Sequence, residues 1–99
     1  LPKEQLVGWN WPSQLAEVIY IDGFGNAFTG IRGDELDTGL HLVVSGRSIG
    51  HAPTFEAVAA GTPFWYVNSC GLVEVAVNGG SAAHVLGLVA GTAVKLIEG

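Results

Sequence analysis

Short runs of β-branched and aromatic residues, cut at close intervals by glycine, constrain this chain more than any other feature. Val18, Ile19, Tyr20 and Ile21 open the pattern in a run over 17–22, and such side chains suit a pleated surface. Further runs fall at 27–32, 40–45, 64–68, 72–77 and 93–97, with 46–50 turning into another. Within 72–77, Val73, Val75 and Val77 alternate with Leu72, Glu74 and Ala76, the period of two that marks a strand. Helix signals are short. Thr54 can cap a helical turn over 54–60 that Gly61-Thr62-Pro63 ends, and Ser81 can cap 82–86 with Gly87 near its end. About seven short strands with glycine turns predict an all-β fold: a small closed or nearly closed antiparallel β-barrel with one or two short helices.

Ninety-nine residues fit one domain. Residues 1–16, with Pro2, Trp9, Trp11 and Pro12, read as a leader or linker, and 17–99 as the barrel. The chain contains no Met, so its native start is expected upstream or removed. Charged residues make up only 13 %, against about 25 % in typical proteins. Either another domain or subunit covers part of the surface, or the composition is simply rich in glycine and alanine. Net charge is −5 with four Lys and Arg. That is too few cations to neutralise a phosphate backbone, so nucleic acid is an unlikely partner on this reading. No apolar run approaches the ~18 residues of a membrane span. Cys70 is the single cysteine, so an internal disulfide and a Cys-x-x-Cys zinc site are excluded. A cytoplasmic location is expected.

Most catalytic signatures fail on spacing. His41, His51 and His84 are scattered, no Gly-x-Ser-x-Gly elbow surrounds Ser69, and Gly23-x-Gly25 lacks the third glycine of a dinucleotide fingerprint. Asp34, Glu35 and Asp37 read as a solvated loop. Two polar clusters remain. Asp22 and Asn26 close the first strand beside Phe24 and Phe28, and 68–71 and 78–81 bring amides and hydroxyls to strand ends. These are ordinary turn chemistry. They are also the parts needed to hold a flat heterocycle with a polar tail: aromatic faces, one acceptor acid and one two-way amide.

Three segments together resemble a known family. They are Val-Ile-Tyr-Ile-Asp-Gly-Phe-Gly-Asn-Ala-Phe-Thr-Gly at 18–30, Ala-Pro-Thr-Phe at 52–55, and Tyr-Val-Asn-Ser-Cys-Gly-Leu-Val-Glu-Val-Ala-Val-Asn-Gly-Gly-Ser-Ala-Ala at 66–83. In this order they are similar to the C-terminal domain of the S-adenosylmethionine (SAM) hydroxide adenosyltransferases, relatives of the SAM-dependent fluorinase and chlorinase. The resemblance implies a β-barrel that follows an α/β domain, in a homotrimer whose SAM site lies between subunits. Water activated at the N-terminal domain attacks the ribose C5′ and releases adenosine and methionine. By position, Asp22 would take the methionine amino group, and Ser69 with the backbone at Cys70 the amino-acid end. Asn26 and the backbone around Asn78 and Gly79 would read the adenine edge. Phe24, Phe28 and Phe55 would wall the pocket. The halogenases carry Arg where this chain has Cys70 and Val77, and both replacements fit the hydrolase branch. No resident cofactor is implied. The family's catalytic Asp, Arg and His belong to the N-terminal domain, so this chain is expected to bind but not to react alone. The alternative is a free-standing nucleoside-binding, interaction or trimerisation barrel.

Overall fold

The computed structural model describes residues 14–33 and 36–98, with the side chains of Gln14 and Phe55 excepted. The tryptophan-bearing leader up to residue 13 and the acids Asp34 and Glu35 lie outside the described residues. Seven strands are described: β1 (Gln14–Ile21), β2 (Ala27–Arg32), β3 (Leu40–Val44), β4 (Arg47–Ile49), β5 (Pro63–Val67), β6 (Leu72–Val77) and β7 (Val94–Glu98). One helix, α1 (Ala82–Leu86), and a 3-10 turn at Phe55–Ala57 complete the list. The strands form two antiparallel sheets, one ordered β1-β2-β6-β5 and the other β4-β3-β7. The all-β class expected from the sequence is therefore correct.

The two sheets touch along both pairs of edges. At one edge Glu17 bridges to Ala93, Val18 N donates to Thr92 O at 2.8 Å, and Gly91 N donates to Val18 O at 2.7 Å. At the other, His51 bridges to Trp65, Trp65 N donates to Gly50 O at 3.0 Å, and Ala52 N donates to Trp65 O at 3.1 Å. Between the sheets lies the main core, which includes Val18, Leu42, Val44, Trp65, Val73 and Val75. Trp65 is fully buried, and its indole Nε1 donates to Leu40 O at 3.1 Å, so the polar edge of its ring costs nothing in lost hydrogen bonds.

Local chemistry accounts for the turns. Ser45 and Gly46 link β3 to β4 with φ of 52 and 76, the left-handed pair that a two-residue hairpin needs. Ser81 caps α1 by accepting from His84 N at 3.1 Å, and Gly87 ends it at φ 68.

Two expectations need correction. The first strand begins at Gln14, not 17, so the leader read over 1–16 overlaps it by three residues. Gln14 and Leu15 pair with Ile31 and Gly30, then a register shift interrupts the alternation before Val18. Gly30 permits this, because a Cβ there would meet Leu15 Cβ at 2.6 Å. The helical turn expected over 54–60 shrinks to Phe55–Ala57, where Ala57 N donates to Thr54 O at 3.1 Å. The strand expected over 72–77 is present as β6, and it is buried on both faces. A second small core of Ala52, Phe64 and Ala76, with Val58 and Tyr66 packed on it, covers the outer face of β5 and β6.

Candidate functional site

That second core leaves a cleft beside it. Side chains at 64, 66 and 76 alternate with the core residues at 65, 75 and 77, so they face away from the facing sheet. Over them lies an open cleft of about 760 Å³, within the range of small-ligand sites. The turn between β1 and β2 supplies Phe24 and Asn26, and the 51–60 segment supplies Pro53 and Thr54. Phe64, Tyr66 and Ala76 form the floor, and 77–80 close one end.

Each wall is held by turn hydrogen bonds. Asp22 Oδ1 accepts from Phe24 N at 2.9 Å and from Asn26 N at 3.0 Å. The backbone closes the same turn, Asp22 N to Asn26 O and Gly25 N to Asp22 O, both at 3.0 Å. Gly25 O accepts from Ala83 N at 2.9 Å, tying the turn to the start of α1. Asn78 pins the opposite wall: its Nδ2 donates to Val58 O at 2.8 Å. Its backbone is also engaged, since Asn78 N donates to Thr62 O and Gly61 N donates to Asn78 O.

The expected site residues therefore separate. Phe24, Asn26, Val77, Asn78 and Gly79 line one cleft. The Asn26 side-chain amide has no hydrogen-bond partner among the described residues. Asn78 differs from expectation, because its backbone N–H and C=O already serve the fold; Gly79, at φ 75, makes none of those bonds. Phe28 is turned to Tyr20, edge to face with centroids 5.5 Å apart, and does not line the cleft. Phe55 lies in the 3-10 turn beside the lining residues Pro53 and Thr54, with its side chain outside the described part. Ser69 and Cys70 are exposed at the other end of β5 and β6 from Asn78. Cys70 N donates to Asn68 Oδ1 at 2.9 Å, so the backbone group expected to hold a ligand is engaged in the turn. The sequence reading missed Phe64 and Tyr66, whose rings lie 5.8 Å apart on one face. Their spacing of two within the Phe-Trp-Tyr run of β5 was the available signal. It also missed Glu74, a lone acid in a valine strand.

Among the described residues no three His, Cys, Asp or Glu side chains gather as a metal site. No helix there is long and apolar enough to cross a membrane.

Architecture and cleft together define a small two-sheet β domain with a mostly apolar groove of small-ligand size on one outer face. The chain belongs to the SAM hydroxide adenosyltransferase C-terminal domain family, whose model matches residues 16–95. It is 43 % identical over 81 residues to an (R)-S-adenosyl-L-methionine hydrolase of Thermus thermophilus, covering 82 % of this chain and 31 % of the relative. A hydrolase of the same name from Salinispora arenicola is 40 % identical over 87 residues, covering 85 % of this chain and 33 % of the relative. The chain thus spans about a third of the length of these curated relatives. A crystal structure of a conserved hypothetical protein from Thermus thermophilus superposes with a TM-score of 0.78 at 38 % identity, covering 98 % of this chain and 42 % of that one. An uncharacterized conserved protein from Thermotoga maritima gives 0.71 at 29 % identity, over 81 % and 34 % of the two chains.

Proposed function

We propose that this chain is the adenosyl-reading domain of a SAM hydrolase, binding S-adenosylmethionine in the cleft and leaving the chemistry to an N-terminal α/β domain. The observation that carries it is the Asn26 amide, which has no side-chain partner among the described residues, on the wall of a cleft of small-ligand size. A purine edge offers both a donor and an acceptor, which one carboxamide can match. Adenine lies against Asn26 and Gly79 on this reading, the ribose crosses Phe64 and Tyr66, and Asp22 Oδ2 faces the methionine ammonium. Ser69 and Cys70 stay outside this binding mode. Water held by the α/β domain attacks C5′, and adenosine and methionine leave. The domain contributes position and exclusion of water, which is why it is inactive alone.

Assembly is part of the proposal. Phe24, which lines the cleft, is 83 % exposed, and Tyr20, on the strand that leads into its turn, is 57 % exposed. Apolar rings so placed fit the α/β domain of a neighbouring subunit in a homotrimer, closing the groove. A closed seven-strand barrel is the matching fold reading, supported by the hydrogen bonds that join the sheets at both edges. A cytoplasmic location accords with the free, exposed Cys70.

Calorimetric titration with adenosine tests the site. Asn26→Ala removes about 1–2 kcal/mol of hydrogen bonding, a loss of roughly five- to thirtyfold in affinity. A wild-type chain that ignores adenosine, or an Asn26→Ala chain that binds it equally well, refutes the reading.

A further inference from the structure

Among the described residues Glu74 is the one charged side chain that is buried, at 3 % exposure. It sits in the middle of the site-bearing face, with Phe28 across from it on β2 and Tyr66 across from it on β5. Its Oε2 accepts from the Tyr66 hydroxyl at 2.7 Å, and its Oε1 accepts from Asn68 Nδ2 at 3.1 Å. Both of these donors are neutral, so neither cancels the negative charge of the carboxylate beneath the cleft floor.

A carboxylate only accepts hydrogen bonds, and a phenol has one proton. The Tyr66 proton is therefore committed to Glu74, and Tyr66 offers the cleft oxygen lone pairs alone. Burial first, then the bond to Glu74 and the charges of Glu74 and Asp22, keep the phenol protonated well above its ordinary range. Among the described residues no Lys, Arg or His lines the cleft.

We propose that Glu74 sets the polarity of this wall: by taking the Tyr66 proton it makes the cleft selective for a cationic adenosyl sulfonium over the neutral adenosyl thioether. The inference rests on the adenosyl-binding function proposed above, and it assigns Glu74 as a positioning residue acting through Tyr66. The same carboxylate holds Asn68, whose Oδ1 accepts from Cys70 N at 2.9 Å and Leu72 N at 3.1 Å. Those two bonds keep Asn68 Nδ2 pointed at residue 74. In Glu74→Gln the new amide oxygen must face Asn68 Nδ2, and the new NH2 must face Tyr66. Tyr66 then accepts, and its own proton turns to the cleft. The substitution inverts the wall while keeping its shape.

The test is titration of the 99-residue chain with S-adenosylmethionine, S-adenosylhomocysteine and adenosine. Wild type is expected to prefer the sulfonium over the thioether by roughly tenfold, the size of one charge contact in a partly solvated site. Glu74→Gln is expected to abolish that preference, read as the ratio of the two affinities in the same variant. Tyr66→Phe, which keeps the carboxylate and removes the lone pairs, reduces the preference even if Glu74→Gln fails to fold. An unchanged preference in either folded variant overturns the proposal. If wild type binds none of the three ligands, the proposed function fails. The polarity of the wall is then decided by phenolate absorbance in a Tyr20→Phe background. Glu74→Gln must move Tyr66 ionisation to lower pH, and an unmoved midpoint overturns the inference.

Discussion

Gly25→Ala is the sharpest test of how the cleft is held, because two separate costs meet at that residue. The first is conformational. Gly25 has φ +85, where an L side chain costs about 1–2 kcal/mol. The second is steric. A Cβ on Gly25 would overlap the Ser81 side chain, with Ser81 Cβ at 2.6 Å and Ser81 Cα at 3.1 Å. Relief requires the 22–26 turn to lift from α1, straining the Ala83 N to Gly25 O bond of 2.9 Å. Overpacking of this kind costs about 1–3 kcal/mol. The total, about 2–5 kcal/mol, is a large share of the 5–15 kcal/mol that stabilises a small domain. Gly87→Ala isolates the first term. Its φ is +68, and nothing lies within 4 Å of the added carbon. Guanidinium unfolding of both variants should show Gly25→Ala to be less stable than Gly87→Ala by at least about 1 kcal/mol. Adding Ser81→Gly to Gly25→Ala should recover most of that difference, since the cap itself loses only a few tenths of a kcal/mol. Equal losses in the two alanine variants, or no recovery, would show that the turn does not bear on α1 as the structure places it. Adenosine affinity should fall with Gly25→Ala as well, because Asn26 moves with the turn.

Trp65→Ala should lower stability by about 3–5 kcal/mol, since it empties the centre of the main core and strips Leu40 O of its donor; a loss under 1 kcal/mol in urea unfolding would refute that placement. Tyr66 is held protonated in the fold, so its contribution is fully present below the ordinary tyrosine value near pH 10 and is lost as pH rises beyond it. Urea midpoints should therefore drop on the alkaline side, and Tyr66→Phe should drop less; parallel curves would count against the shift. Asn26→Ala and Glu74→Gln carry the ligand tests given above.

Much of the backbone was legible in the residues themselves. Leu72–Val77 follows from the valine alternation, and Ser81 and Gly87 bracket Ala82–Leu86 because cap chemistry acts within one turn of chain. The Asp22 to Asn26 turn was visible for the same reason: an acid that can hold amides two and four residues on, with glycine where φ turns positive. Family motifs extended this to Asn26 and Gly79, which do line the cleft.

Only the folded chain settled what depends on neighbours remote in sequence. Gln14 and Leu15 have no local reason to be a strand, and they become one because Gly30 leaves room for Leu15. Glu74 is an acid alternating with valines, yet it is buried, because Phe28 and Tyr66 flank it and the 51–60 segment covers that face. Ser69 and Cys70 sit close in sequence to Asn78, but the length of β6 holds them at opposite ends of one sheet. Turns and caps are short-range events that the sequence writes out directly. Which face is covered, which acid loses its water and which strand ends meet are set by contacts across the sheets, and these exist only once the chain has closed on itself.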